Sequence, residues 1–323
     1  MTTGTASRST HEGLPRRERL SFPVSKLASG FALAIDVHTI TGAAPGPTVG
    51  ISAVIHGDEI EGLLIVRELW RTIDAEQLRG KLVLLPVANP LALGTISRNT
   101  PLDMLDLNRV FPGLEDGWLS EQLAWTISNE FISKLDYYVD IHAGGTFPWV
   151  DYCYVLNDES LSRAFLPALL YKPRQMFAGS TAAFAVARGI PTTVVEIGGG
   201  YHDQAEHIGG GVRGLMNQLR HIGALPGSAE ERRKQLLLRE IKVVRPRQGG
   251  LCIPVRPLRP GTWLDERAAL AEIVSPYSFE CLEMLTAPFE KNVVVLSRNY
   301  VTRIQPGDYA FMIGNGASAT YYE

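Results

Sequence analysis

The stretch "ISAVIHGDEIEG", Ile51 to Gly62, sets a histidine, a glycine and several acids directly behind a run of β-branched apolar residues. His56 and Glu59 stand three apart at what reads as a strand-to-helix junction, so both side chains can turn to one side and share an ion. The alternative is a helix N-terminus whose first-turn glutamate is favoured by the helix dipole. His142, ending the apolar run in "YYVDIHAGG", is the candidate third ligand. Two histidines and a glutamate with one open position form one of the known catalytic zinc sets. Asp140 lies two residues before His142 and so on the same strand face. It either accepts the second N–H of the ligand histidine or caps a nearby loop.

Glu196 sits inside "VVEIGG", where a charge in an apolar strand is costly unless paired. Beside an activated water it would act as general base and later return the proton to a leaving amine; a structural ion pair is the other reading. Arg98 and Arg109 lie in the polar loop "SRNTPLDMLDLNRVFPG". Arginine stays charged and grips carboxylates in a bidentate way, so one would face a developing oxyanion while the other anchors a substrate acid. His202 and His207, five apart, splay on a helix and are expected to face solvent rather than form a metal pair. No GxSxG elbow, P-loop or GxGxxG after a strand is present, so serine-hydrolase and nucleotide readings have no anchor.

These groups fall where predicted strands end, which is where open α/β sheets place their sites. "TVGISAVI", "KLVLLPVA", "DYYVDIHA" and "PTTVVEIGGG" read as buried strands. "EIEGLLIVRELWRTI" and "SEQLAWTISNEFISKL" read as helices, the second with Ser120 as its cap. Strand–helix alternation predicts an α/β domain over residues 31–225 with a mostly parallel sheet and helices on both faces. "GALPGSAEERR" marks a boundary. Beyond it, residues 235–323 carry short strand-like runs broken every 8 to 12 residues, the texture of a small all-β barrel or sandwich. Residues 1–30, rich in Ser, Thr, Gly and Arg, predict a mobile arm.

Bulk properties narrow the class. The chain of 323 residues is 45% hydrophobic and 20% charged, with a net charge of −3. That suits a soluble globular protein and offers no basic field for nucleic acid. No apolar run approaches the ~20 residues needed to span a bilayer, so no membrane partner is expected. Three well-separated cysteines, Cys153, Cys252 and Cys281, suit a reducing cytoplasm better than a disulfide framework. The sequence is compatible with a homo-oligomer.

"HGDEIEG", "LDLNRVFPG", "VDIHAGG" and "VVEIGGG", in this order, resemble the succinylglutamate desuccinylase/aspartoacylase family, a branch of the zinc carboxypeptidase-like enzymes. The resemblance runs over essentially the whole chain after the first 30 residues, including "VANP" and a C-terminal β region similar to a barrel-sandwich hybrid. It implies a carboxypeptidase-like fold and one zinc ion per chain on His56, Glu59 and His142. It also implies Glu196 as general base, Arg98 near the oxyanion, and Asn108 with Arg109 on a substrate carboxylate. The expected activity is hydrolysis of the amide of a small N-acyl amino acid. The alternatives are a carboxypeptidase on the same centre, or a binding protein without turnover. "NRVFPG" and "EIGGG" most resemble ectoine-utilisation members that deacetylate Nα-acetyl-L-2,4-diaminobutyrate. The bulky Phe147–Pro148–Trp149 departs from that group and is expected to reshape the pocket.

Overall fold

The computed structural model describes residues 15–200 and 204–322. Its amino-terminal part carries β1 (Arg16–Lys26), β2 (Ala32–Thr41), β3 (Ala44–Ala53), β4 (Arg79–Leu85), β5 (Tyr137–His142), β6 (Trp149–Val155), β7 (Leu169–Tyr171) and β8 (Thr192–Gly198). Its helices are α1 (Glu61–Thr72), α2 (Pro90–Thr95), α3 (Leu119–Thr126), α4 (Glu159–Ala164), α5 (Thr181–Ala187) and α6 (Gln204–His221).

Strands β4, β3, β5 and β8 lie side by side in parallel. Their Val, Ile and Leu content lets them be buried on both faces, as a parallel sheet covered by helices requires. One face packs Ile65, Val66 and Leu69 of α1 and Leu215 and Leu219 of α6 against Ile51, Ile141 and Val195. The other packs Leu123 of α3 and Ala185 of α5 against Ile55, Leu85 and Tyr138. This parallel run is bounded by antiparallel joins, β2 to β4 and β6 to β8, and parallel pairing resumes from β6 to β7 and β9. The sheet is therefore mixed around a parallel centre.

Residues 16–26, expected within a mobile arm, are instead a strand paired along β2 from Arg16↔Thr41 to Lys26↔Ala32. An edge strand needs few apolar side chains, because only one of its faces meets the core. Here Phe22 and Val24 supply that face. Residues 1–14 of the expected arm lie outside the described residues. Ser120 is not the cap of α3 either. The cap position is Trp118, whose N–H donates to Glu121 Oε2 at 2.8 Å. The Ser120 hydroxyl, inside the first turn, donates to Thr100 Oγ1 at 2.7 Å and Asp103 Oδ1 at 2.9 Å.

Beyond the linker the chain is β: β9 (Gln235–Leu238), β10 (Ile241–Val244), β11 (Gly250–Pro254), β12 (Trp263–Asp265), β13 (Ala269–Val274), β14 (Cys281–Thr286), β15 (Lys291–Ser297), β16 (Thr302–Ile304), β17 (Phe311–Asn315) and β18 (Thr320–Tyr322). A four-stranded sheet, β14-β13-β11-β16, closes over a core of Cys252, Leu270, Ile273, Leu285 and Phe311. The rest of this region is continuous with the main sheet. At β6 the sheet forks. One branch leaves through β7 to β9 and β18, and the other leaves through Leu296↔Val150 into β15, β17 and β10. Among the described residues no helix is long and apolar enough to cross a membrane.

Candidate active site

Strand β3 ends in a strained turn. Val54 adopts φ 54°, a left-handed conformation that a β-branched residue takes up only under tertiary constraint. The turn swings His56 and Glu59 to one side ahead of α1, whose own first-turn acid is Glu61. The two readings of "HGDEIEG" are thus divided between two residues: Glu59 precedes the helix and Glu61 begins it. Gly57 is required between them, because a Cβ there would stand 2.0 Å from the Ala92 carbonyl of α2.

Glu59 bridges two imidazoles. Its Oε1 lies 2.7 Å from His56 Nδ1 and its Oε2 lies 2.8 Å from His142 Nδ1, with the Ala143 N–H donating to Oε2 at 3.2 Å. All three side chains are buried, and their candidate ligand atoms lie within 4.8 Å of one another. The second nitrogen of each ring meets another acid. His142 Nε2 stands 3.0 Å from Asp140 Oδ2, and His56 Nε2 stands 3.2 Å from Asp106 Oδ1. These contacts fix both rings with Nδ1 turned inward. Asp140 is satisfied in turn by the hydroxyls of Ser52 (2.6 Å) and Thr181. It performs the orienting role and not the loop-capping one.

Burial alone would discharge these groups, but their neighbours reverse it. Burial pushes the His142 imidazole down, yet the carboxylates of Asp140 and Glu59 hold it well above its usual pKa. His56 is raised in the same sense by Glu59 and Asp106. Burial would raise Glu59, but the two imidazoles hold it well below the usual carboxylate range. The charges thus favour a proton on each imidazole, both set against the one carboxylate. A divalent cation can take the place of those two protons among the same three donors with no change in net charge, so the residues fit a metal ion of the zinc type.

Glu196 is aligned by sheet register. In the parallel β5–β8 ladder it stands beside His142, and in the antiparallel β8–β6 ladder it stands beside Tyr152. It is half-buried, and burial lifts its carboxyl to about 7, with the nearby Glu59 carboxylate adding to the rise. A group that changes charge near neutral pH is suited to taking and giving a proton. The strand exits into Gly198 at φ 87°, where a Cβ would stand 2.7 Å from Glu61 Cγ.

The three loop residues are brought to the same cavity but not to equal distances. Arg98 Nη1 lies 3.6 Å from Glu59 Oε1 and 3.4 Å from His56 Nδ1, and its Nη2 donates to Asp106 Oδ2 at 3.1 Å. Arg109 lies farther out, its guanidinium 4.6 Å above the Phe177 ring. Asn108 Oδ1 accepts from the Thr181 N–H at 3.0 Å, and its Nδ2 stands 3.4 Å from His142 Nε2.

Sequence reasoning did not single out Asp106. The signal was present: "DLN" places an acid two residues before Asn108, and Asp106 Oδ1 accepts from the Asn108 N–H at 2.9 Å. Burial would raise this carboxyl, but His56 and Arg98 hold it well below its usual range. Of the Phe147–Pro148–Trp149 bulge, only Pro148 lines the cavity. Phe147 packs under Arg298 and Arg303, with guanidinium-to-ring distances of 5.4 and 5.8 Å. The Trp149 indole N–H donates to His207 Nε2 at 3.0 Å. His207 is accordingly buried, not exposed as expected, because α6 turns its first turn inward onto β6. His202 lies outside the described residues.

The chain is similar to several known proteins. The model of the succinylglutamate desuccinylase/aspartoacylase catalytic domain matches residues 45–222, which include every residue placed above around Glu59 and Glu196. An N-alpha-acetyl-L-2,4-diaminobutyric acid deacetylase from Halomonas elongata is 28% identical over 222 residues, covering 65% of this chain and 65% of the relative's length. A succinylglutamate desuccinylase from a Silicibacter species superposes with a TM-score of 0.81 at 24% identity, over 96% of this chain and 97% of that one. The product-bound ectoine utilization protein EutE from Ruegeria pomeroyi gives 0.81 at 24% identity, over 93% and 95%.

Proposed function

Since the chain belongs to the succinylglutamate desuccinylase/aspartoacylase family, we propose that it is a zinc-dependent amidohydrolase that removes the acyl group from a small N-acyl amino acid or related N-acyl compound. The observation that carries this reading is the Glu59 carboxylate held between His56 Nδ1 and His142 Nδ1 with Glu196 one strand away. The name of the Halomonas relative and the family description both point to removal of an acyl group from nitrogen.

His56, Glu59 and His142 would hold the ion. When bound, it would supply Lewis acidity toward a water molecule and an acyl oxygen. Glu196, ionised above about 7, accepts a proton from the attacking water. The same carboxyl then delivers that proton to the departing nitrogen, so the amine leaves neutral. Arg98, at 3.6 Å from Glu59, presents fixed positive charge where negative charge gathers on the acyl oxygen. Arg109, farther out, and Asn108 take a substrate carboxylate. Asp106 and Asp140 hold the two rings in one orientation throughout.

The test is exhaustive chelation of purified protein followed by zinc replacement, with release of free amine from N-acyl amino acids as the readout. We expect activity to vanish and return. Full activity in the chelated protein would refute the metal's role, and activity on dipeptides but on no N-acetyl amino acid would move the assignment to a carboxypeptidase.

A further inference from the structure

The cavity that holds Glu59 and Glu196 does not end there. At about 700 Å³ it lies well up the range of roughly 300–1,000 Å³ that receives drug-sized ligands. An acetylated amino acid would leave much of it empty. The extra space opens where the sheet forks, between β7 on one branch and β10, β15 and β17 on the other.

The walls there are mostly aromatic and aliphatic. Tyr152, Tyr154 and Tyr171 run in series with ring centroids 5.3 and 5.5 Å apart. Burial raises the pKa of all three, so they remain neutral phenols. Tyr152 donates to Tyr154 Oη at 3.2 Å, which turns both hydroxyls along the wall. Val243, Leu296 and Met312 face them from the other branch. Tyr152 adjoins Glu196 across one strand spacing, and Tyr171 is reached across the next. One to two spacings of roughly 5 Å separate the strand position of Glu196 from this wall, with Tyr152 at its near end and Tyr171 at its far end. An acetyl group reaches no farther than its near end. A phenylalkyl group, or an alkyl chain of about six to eight carbons, spans that distance.

Building on the amidohydrolase assignment, we infer that the substrate is an N-acyl compound bearing a large apolar substituent that lies in the fork between Tyr152, Tyr154, Tyr171 and Met312. The substituent enters either as a long acyl chain or as the side chain of an aromatic amino acid; the chemistry that recognises it is the same. Two charged side chains also line the cavity, the half-buried Asp308 and the exposed Arg245, which stacks on Tyr309 at 4.2 Å.

Two substrate pairs separate the sources: N-acetylglycine against N-octanoylglycine, and N-acetylaspartate against N-acetylphenylalanine, each compared by kcat/KM in the zinc-loaded full chain. We expect the apolar member to be favoured at least tenfold in one pair, the scale that even a single methylene's worth of pocket contact can reach. Tyr171→Arg should lower that ratio at least tenfold. Because both substrates meet the same variant preparation, the ratio does not depend on the fraction folded. Preference for the small or charged member in both pairs overturns the inference. If no compound is hydrolysed, the amidohydrolase reading fails separately, and calorimetric titration with octanoate then tests the wall. Binding that Tyr171→Arg abolishes upholds the apolar fork, and no binding to the unaltered protein overturns it.

Discussion

The two ends of the cavity are built by different rules. At the Glu59 end the polar atoms of His56, Glu59, Asp140 and His142 each have a named partner, and the contacts are counted in single hydrogen bonds from Ser52, Asp106, Asp140 and Thr181. At the fork the surface is made of rings and branched side chains drawn from β6, β7, β10, β15 and β17, and no single contact defines it. The first end is specified atom by atom, so it tolerates no exchange of atoms. The second is specified by shape and hydrophobicity, so substitutions there should grade smoothly with volume.

The comparison predicts that changes at the two ends register in different measurements. The largest effect expected lies behind the fork: Leu270→Ala, in the C-terminal core, should cost about 2–5 kcal/mol in unfolding free energy. Thermal melting would show it, while kcat per folded molecule stays within twofold. A kcat loss in step with stability would erase the distinction. Glu196→Gln should lower kcat by roughly 10²-fold or more, with KM and melting temperature little changed. An unaltered rate would move Glu196 to a structural role. Asp106→Asn keeps the shape but weakens the hold on His56, so metal affinity should fall about 10- to 100-fold in a competitive chelator titration. An unchanged affinity would show that the partner of His56 is dispensable. Smallest in demand on the protein is the pH profile. Burial raises Glu196 to about 7, and only its ionised form accepts a proton. Therefore kcat/KM should drop about tenfold per pH unit below that point and level off above it. A profile flat from pH 5 to 8 would assign proton transfer elsewhere.

The same contrast explains what the sequence discloses. His56, Glu59, His142, Glu196 and Arg98 are residue types that a strand end rarely carries without purpose, and the fold brings all five to one cavity. Asp106 was less legible because acids in polar loops are common, and only its distance to His56 singles it out. Strand β1 was missed because an edge strand can be polar along most of its length. The fork could not be read at all. Val243, Leu296 and Met312 are indistinguishable in sequence from core residues, and whether such a side chain meets a neighbour or a void depends on pairings made more than a hundred residues away.

The pairing of Leu296 and Ser297 with Val150 and Trp149 makes residues 223–233 a misleading place to cut. They look like a hinge between independent modules. A chain terminated there would strip β6 of β15 and β7 of β9 at once, leaving unsatisfied backbone beside a bare aromatic face, the combination that recruits a second strand from another molecule. The amino-terminal fragment, though it contains every proton-handling group, should accumulate as aggregate, and a library that shuffles C-terminal segments among relatives should tune selectivity only where the β6 seam is preserved.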